Sequence, residues 1–490
     1  MSSLNDLRSK IQELETISEQ LEPSPDQRRA AQVRVIQYGE KFLNNIEHAK
    51  TYQITEDKGR GLLDFPISDD PISIDDAIGL IRDHVDYPGL NPAAGGHFGY
   101  IPGGGIYYSS LADYLADVTN RYAGIFFAGP GAVRMENMLI RWLAGILGYP
   151  EDAGGNLTSG GSPANLIGIV TARDAKQLHS RDFDRSVIYL SSQAHHSVDK
   201  AIRIAGLKEA VIRSVPLDEK YRMIPAELEK QIKLDKEAGL LPFMVIASAG
   251  TTDVGAIDPL KEIGAIARQY HLWYHVDAAY GGFFALTEEG KEKLAGIEMS
   301  DSLVIDPHKG LFLPYGLGVA LVKDRNKLQQ AHYYTANYMQ DARAEIEEIS
   351  PAEVSPELTK HFRGLRLWLP LKVHGLKPFR ACLEEKLLLA KYFYRRISEL
   401  GFETGPVPEL SVVTYRFLPE KGDADIFNKR LLEEITKDGR VFISSTLLNG
   451  HFTLRFACLA FRSHLRTVDL LLSLLEQKKN ELLSSLSRDH

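Results

Sequence analysis

A lysine follows a histidine in residues 305–310, which read IDPHKG and come directly after a short apolar run. An amine at the end of a strand can lose hydration in a cleft and attack an aldehyde, so Lys309 is a candidate for covalent catalysis. A solvated loop lysine is the alternative when this segment is taken alone. The other parts of an aldehyde-cofactor site are therefore needed to decide between the two interpretations.

An aspartate ends the β-prone run in residues 273–282, which read WYHVDAAYGG. Strands of parallel sheets present ligand groups at their carboxyl ends. Pyridoxal phosphate, an aldehyde cofactor, needs an anion beside its ring nitrogen because the protonated ring is the electron sink of the reaction. Asp277 fits that role, and the small side chain of Ala279 leaves room for a flat ring. A helix cap or a salt-bridge partner is the alternative for Asp277.

Glycines precede a helical pattern in residues 156–166, which read NLTSGGSPANL. We expect Ser162 to be the N-cap and Pro163 to be the first helical residue. Gly161 lets the backbone approach an anion and the helix start supplies free N–H groups, so the segment predicts a phosphate site. Neither a Walker lysine nor a Gly-x-Gly-x-x-Gly pattern is present, which makes nucleotide binding the weaker interpretation. An ordinary glycine turn before a helix is the alternative.

Two histidines follow a strand-like run at residues 187–192. His195 is nearer to the strand end and can lie flat on a cofactor ring, whereas we expect His196 to be a surface or hydrogen-bonding residue. The parts thus occur in the order phosphate loop, His195, Asp277 and Lys309. In this order the chain resembles the group II pyridoxal-phosphate decarboxylases, which include aromatic L-amino-acid, histidine, glutamate and cysteine-sulfinate enzymes.

The resemblance extends roughly from residue 96 to residue 456, and it implies a fold-type I α/β enzyme that decarboxylates an L-amino acid. It implies covalent attachment of the cofactor to Lys309, with Lys309, His195 and Tyr338 as catalytic residues. Tyr338 would lie in a lid and return a proton to the substrate carbon. Ser248 stands where the family usually has a threonine near the cofactor. The implied cofactor contacts are Gly161, Ser162, His195, Ser248, Asp277, Ala279, His308 and Lys309.

The resemblance also implies a substrate pocket. Tyr100, Ile101 and Tyr315 would line it, and Phe126 would reach it from the neighbouring subunit of a homodimer whose active site lies at the interface. These apolar or aromatic side chains favour an aromatic amino acid as substrate. Arg455 keeps an acidic substrate (glutamate, aspartate or cysteine sulfinate) as an alternative, because an acidic side chain needs a basic partner. An aldehyde synthase on the same scaffold is the other alternative.

Two residues depart from the pattern of the aromatic-substrate relatives. Asp306 stands in place of asparagine, and Gly310 stands in place of tryptophan. We expect the missing tryptophan to open space near the cofactor and the extra carboxylate to disfavour an acidic ligand. Schiff-base chemistry needs neither residue.

The composition agrees with an intracellular enzyme. The 490 residues are 44% hydrophobic, which suffices for a sizeable core in two or three domains. The net charge of −8 and the absence of a basic run give no reason to expect nucleic-acid or membrane binding. Cys382 and Cys458 are the only cysteines, so we expect neither a disulfide framework nor a metal site. The start lacks the regions of a secretory signal, and we therefore expect a cytoplasmic protein.

We expect three parts along the chain. Residues 1–106 form a helical N-terminal segment for dimerisation, because apolar residues recur at helical spacing and residues 24–27 (SPDQ) form a capping box. Residues 107–375 form a large cofactor-binding domain with a mostly parallel sheet of seven strands, since helices alternate with β-prone runs. Residues 376–490 form a small α+β domain. The glycine-rich segment 95–105 is too irregular for a strand.

Overall fold

Strands, most of them buried, alternate with helices between residues 154 and 322, because each short apolar run is followed by a segment with helical spacing. The computed structural model describes residues 3–333 and 347–486. The chain forms two compact units, which divide between Asn91 and Pro92. The division of the chain at residues 106 and 375 stays a prediction.

The first unit is largely helical. Its helices are α1 (Leu4–Ser18), α2 (Pro25–Asn45) and α3 (Ile74–Ile81), and its strands are β1 (Tyr52–Gln53) and β2 (Gly89–Leu90). The expected capping box at the start of α2 is present, because Ser24 Oγ accepts the N–H of Gln27 and the Gln27 side chain accepts the N–H of Ser24. No residue of α1 or α2 is buried in the single chain.

The second unit contains the remaining elements. Its helices are α4 (Tyr107–Thr119), α5 (Pro130–Ile146), α6 (Gly161–Ala175), α7 (His196–Ile204), α8 (Pro225–Glu237), α9 (Leu260–Gln269), α10 (Glu288–Lys293), α11 (Pro307–Gly310), α12 (Arg325–His332), α13 (Arg363–His374), α14 (Lys377–Glu399), α15 (Ala424–Asp438) and α16 (Leu465–Leu486). Its strands are β3 (His97–Phe98), β4 (Gly154–Thr158), β5 (Ser186–Ser191), β6 (Val211–Val215), β7 (Leu241–Ser248), β8 (Trp273–Asp277), β9 (Ser302–Ile305), β10 (Gly318–Val322), β11 (Glu403–Thr404), β12 (Val412–Arg416), β13 (Phe442–Leu448) and β14 (His451–Ala457).

The large sheet has seven strands in the order β4-β10-β9-β8-β7-β5-β6. Strands β5 to β9 pair in parallel, which confirms the predicted mostly parallel α/β architecture. Strand β10 is antiparallel to both of its neighbours, β4 and β9, and this exception was not predicted. Because the carboxyl ends of β7, β8 and β9 lie side by side, the residues that follow these strands meet at one edge of the sheet.

Both faces of the large sheet are buried. Along β5, Val187 and Tyr189 belong to one apolar core, whereas Ile188 and Leu190 belong to a second core. Alternate residues of a strand point to opposite faces, so the two cores lie on opposite sides of the sheet. A near-continuous apolar run is the expected pattern for a strand covered on both sides.

A five-stranded sheet with the order β11-β12-β14-β13-β3 forms the smaller layer of this unit. Strand β3 pairs in parallel with β13, through His97 with Phe442 and Phe98 with Ile443. The expectation that segment 95–105 contains no strand is therefore wrong. The pairing depends on a partner more than 300 positions away, which local sequence does not reveal. Within residues 3–333 and 347–486, every helix is too short or too polar to cross a lipid bilayer.

Candidate active site

The lysine lies in a single helical turn, α11, directly after β9. Its Nζ is 3.1 Å from Oδ2 of Asp306, whose side chain is only 1% exposed. Nε2 of His308 is 3.7 Å from the same oxygen, and its Nδ1 donates to the carbonyl of Leu317. Burial lowers the pKa of His308 below its usual value. The carboxylate of Asp306, which replaces the asparagine of the relatives, thus contacts Lys309 inside the protein and does not face open solvent.

Asp277 ends β8 beside Ser248, which ends β7 in register with it. Oδ1 of Asp277 accepts the backbone N–H of Ala279 at 3.1 Å, and Oδ2 accepts Nδ2–H of Asn165 at 3.0 Å. Two fixed donors keep the carboxylate in one orientation. The carboxylate of Asp277 can therefore accept a further hydrogen bond or pair with a positively charged group.

The phosphate-type loop joins β4 to α6, but its cap differs from the prediction. The N-cap is Gly160, with no side-chain cap bond, and Ser162 is an exposed second residue of the helix. The hydroxyl of Thr158 donates to the Gly160 carbonyl at 2.8 Å, and the helix starts two residues earlier than expected, at Gly161 instead of Pro163. The first N–H groups of α6 remain available for an anion.

A side chain at position 161 would crowd Asp306. A Cβ there would lie 2.9 Å from Oδ2 of Asp306 and 3.4 Å from Cβ of Ala279. The loop therefore approaches the segment that carries the lysine as closely as the backbone allows.

His195 follows β5 and is the N-cap of α7. Its Nδ1 accepts the backbone N–H of Ser197 at 3.2 Å and lies 2.8 Å from the Ser197 hydroxyl. Burial lowers the pKa of His195, and this effect outweighs the neighbouring carboxylate of Asp277, which raises it. We therefore expect a neutral imidazole here at neutral pH. His196 is exposed, as predicted.

These segments surround one cavity of about 360 Å³. All eight residues that the sequence assigns to the cofactor line it. The full lining is Ser159, Gly160, Gly161, Ser162, Pro163, Asn165, Gln193, His195, Ser197, Ser248, Gly250, Thr251, Thr252, Asp277, Ala279, Tyr280, Asp306, His308 and Lys309. Several polar members were not assigned a role from the sequence, namely Asn165, Gln193, Ser197, Thr251, Thr252 and Tyr280. The sequence offered one weak signal for Asn165, an amide on the helix face that also carries Ala164, Gly168 and Ile169, but it did not indicate a role.

The predicted substrate residues lie outside the lining of this cavity. The ring of Tyr315 is 5.9 Å from that of His308, so this residue is adjacent to the cavity, and it is 56% exposed. Tyr100 is 58% exposed, and Ile101 and Phe126 are partly buried. Their assignment to the substrate stays a prediction. Tyr338 lies outside the described residues.

The expectation that Gly310 opens space near the cofactor is wrong. A Cβ at position 310 would lie 2.6 Å from Cβ of Phe283, whose side chain is fully buried. Phe283 follows the glycines after β8 and fills the volume that a side chain at position 310 would need. Gly310 and Phe283 are thus complementary in volume.

Comparison with known proteins assigns this arrangement to a family. The model of the pyridoxal-dependent decarboxylase conserved domain matches residues 36–417. The chain belongs to this family. The predicted family, the cofactor pyridoxal phosphate and the enzyme class are thereby confirmed.

Relatives of this decarboxylase include enzymes that act on aromatic amino acids. An aromatic-L-amino-acid decarboxylase of Bacillus atrophaeus is 37% identical over 379 residues, which cover 76% of this chain and 77% of the relative. A phenylacetaldehyde synthase of Arabidopsis thaliana is 28% identical over 409 residues, with coverage of 79% and 82%. The crystal structure of Oryza sativa TDC with PLP and tryptamine has a TM-score of 0.89 and 25% identity, with coverage of 94% and 99%.

The residues of the decarboxylase cavity fit pyridoxal phosphate. The free helix start at Gly161 suits the phosphate, and Lys309 suits the aldehyde carbon. Asp277 supplies the anion that a ring nitrogen requires. Each of these groups belongs to a different strand end, and their order around the cavity follows from the order of the strands.

Proposed function

We propose that the chain releases carbon dioxide from an L-amino acid at the cavity around Lys309 and Asp277. One observation carries this proposal: an amine and a carboxylate from adjacent strand ends face the same enclosed space, next to a free helix N-terminus. When bound, pyridoxal phosphate supplies an electron sink for the bond that breaks at the substrate α-carbon.

In this reaction the residues of the chain bind and orient the cofactor and the substrate, and they keep water away from the reacting atoms. Lys309 would give the covalent attachment point, and Asp277 would hold the proton of the ring nitrogen. The N-terminus of α6 and His308 would bind the phosphate. His195 would lie against the ring and exclude water. Tyr338 returns a proton to the substrate carbon.

Several features support an aromatic substrate. Arg455, the candidate partner of an acidic side chain, is 3% exposed and donates to the carbonyls of Thr252 and Asp253 and to Oγ of Ser444. Three of its five guanidinium N–H groups are therefore engaged by other groups of the protein. Among the described residues that line the cavity, none is an arginine. The aromatic-L-amino-acid decarboxylase relative points the same way.

We also propose a cytoplasmic homodimer with each active site at the interface. An apolar stripe on α1 remains exposed in the single chain, with Leu7 at 53% and Ile11 at 54% exposure. Exposed apolar stripes of this kind are buried by association. Phe126 would then reach the substrate pocket of the partner subunit. Both cysteines are free thiols, which suits a reducing compartment.

The test is carbon dioxide release from a panel of tyrosine, tryptophan, dihydroxyphenylalanine, glutamate, aspartate and cysteine sulfinate. We expect turnover of aromatic members, with amine as the product. Activity on acidic members alone would overturn the aromatic assignment, and peroxide with aldehyde in place of amine would indicate an aldehyde synthase.

Borohydride reduction tests the role of Lys309 separately. We expect the cofactor label on the peptide that contains Lys309, and we expect Lys309→Ala to lose both the label and turnover. Lys200→Ala, at an exposed lysine of α7, is the matched control and should keep both. A label on any other peptide contradicts the assignment.

A further inference from the structure

A buried series of hydrogen bonds lies behind the cavity and begins at an indole. Nε1–H of Trp273 donates to Oγ of Ser302 at 2.8 Å, and the same Oγ is 2.7 Å from Nδ1 of His275. All three side chains are at most 2% exposed. Because an indole is only a donor, the Ser302 oxygen accepts from it.

The position of the ring proton of His275 follows from its pKa and its hydrogen-bond partners. Burial lowers its pKa to about 4, so the ring is neutral at neutral pH and carries one proton. Nε2 lies 2.8 Å from Oδ1 of Asn165, an amide oxygen that only accepts, so the single ring proton is on Nε2. Nδ1 is then an acceptor and receives the hydroxyl proton of Ser302. Gly168, one turn along α6, makes room for the ring, since a Cβ there would be 2.7 Å from Cε1 of His275.

The series of hydrogen bonds divides into two branches at Asn165. Its Nδ2 donates to Oδ2 of Asp277 at 3.0 Å and to Oγ of Ser197 at 3.2 Å. A flipped amide would set an oxygen against an ionised carboxylate that has no proton to share, so this orientation is the one that satisfies every partner.

The second branch ends on the histidine at the cavity. The backbone N–H of Ser197 donates to Nδ1 of His195 at 3.2 Å, so this nitrogen is an acceptor. Oγ of Ser197 accepts from Asn165 and donates its own proton to the same Nδ1 at 2.8 Å. Nδ1 is therefore without a proton, and the neutral ring carries its proton on Nε2.

We propose that Asn165, held by His275, is a positioning residue that ties Asp277 to His195 and keeps the proton of His195 on Nε2. This inference rests on the proposed function, in which both residues contact the cofactor. The array fixes the carboxylate that would face the cofactor ring nitrogen, and it makes His195 a hydrogen-bond donor through Nε2. Two groups on separate strand ends are thus oriented by one amide.

The first test compares two ligands on the cofactor-free full-length protein. One is pyridoxal phosphate, and the other is an analogue with C–H in place of the ring nitrogen. Asn165→Leu should weaken pyridoxal phosphate about 10-fold or more, as expected for loss of a hydrogen bond to a charged group, and the analogue less than about 3-fold. Equal losses for both ligands, or no loss, would overturn the proposal.

Asn428→Leu is the matched control. This amide is also fully buried, and it makes three hydrogen bonds with Phe417 and Ala424. Its loss should lower thermal stability without distinguishing the two ligands. His275→Gln keeps a donor for Asn165 and should retain more affinity than His275→Leu. If the wild-type protein binds neither ligand, the proposed function fails and not this inference alone.

Neutron diffraction of the deuterated wild-type enzyme with its cofactor is the second test and needs no variant. We expect deuterium on Nε2 of His195 and of His275, and none on either Nδ1. Deuterium on Nδ1 of His195 would overturn the proposal.

Discussion

At the scale of single residues, Asp277 meets the most specific requirement of the cofactor, which is an anion beside the ring nitrogen. Asp277→Asn keeps the shape of the side chain but removes the charge that the ring proton needs. We expect cofactor affinity to fall about 10- to 100-fold, since a hydrogen bond to a charged group contributes about 1.5–3 kcal/mol. Fluorescence titration of the cofactor-free protein measures this change.

Asp301→Asn is the control for that substitution. Asp301 accepts the backbone N–H of Tyr274 at 2.8 Å, near the opposite end of β8. The control should leave cofactor affinity within about 2-fold. Equal effects of the two substitutions would show that Asp277 acts on the strand and not on the ring.

The buried side chain of His97 makes the stability of the folded protein depend on pH. It is fully buried in β3, and burial lowers its pKa to about 4. The unfolded chain binds a proton below about pH 6.5, whereas the folded chain does so only near pH 4. Stability is therefore fully present above pH 6.5 and is lost as the pH falls toward 4, by up to about 3 kcal/mol.

We expect His97→Phe to remove this part of the acid sensitivity. Urea unfolding midpoints at pH 7.5 and pH 5 measure it. His451→Phe, at an exposed histidine, should show the acid sensitivity of the wild type. An unchanged difference between the two pH values in His97→Phe would contradict the assigned cause.

The reactive residues Asp277 and Lys309 could be predicted because both occur near the end of a recognisable apolar strand. Asp277 is the last residue of β8 and Lys309 lies in the turn after β9, and parallel strands bring such ends together. Asn165 and Ser197 could not be assigned, because their role depends on distances between α6, α7 and β8. Such distances exist only after the helices have packed.

At the scale of elements, helix α11 depends on close packing at Gly310. Gly310→Ala would set a Cβ 2.6 Å from Cβ of Phe283, and overpacking of this kind costs about 1–3 kcal/mol. We expect a lower melting temperature and faster loss of cofactor. Thermal unfolding and dialysis of the loaded enzyme measure these changes.

Gly145→Ala is the matched control in α5. A Cβ at that position has open space around it, and alanine favours a helix over glycine by about 0.5–1 kcal/mol. We therefore expect the melting temperature to stay the same or rise. A Gly310→Ala protein as stable as the control would show that Phe283 moves aside without cost.

The alternation of strands and helices could be predicted from local pattern, and the capping box of α2 could be predicted to the residue. Strand β3 and the reversed direction of β10 could not. Both depend on pairing with distant strands, and a short strand in a glycine-rich segment has no periodic signal of its own. The cap of α6 was misplaced because Thr158, two residues before Gly160, takes part in the turn.

At the scale of the whole molecule, the exposed stripe of α1 predicts association. Ile11→Glu places a charge in the stripe and should convert the proposed homodimer to a monomer or weaken it about 10-fold or more, because burying an unpaired charge is costly. Sedimentation velocity over a range of concentrations measures this change. Gln12→Glu adds the same charge at a neighbouring exposed position and should leave association intact. A dimer that survives Ile11→Glu unchanged would place the interface elsewhere.

The reversed strand β10 has a consequence for biosynthesis. It hydrogen-bonds to β4, which leads into the phosphate loop, and to β9, which leads into the lysine turn. During translation, β4 leaves the ribosome long before β10 does, and pairing of strands so far apart is slow. We therefore expect a nascent chain arrested before residue 318 to lack a closed pocket, so that vitamin B6 capture waits for late folding and truncated translation products remain colourless.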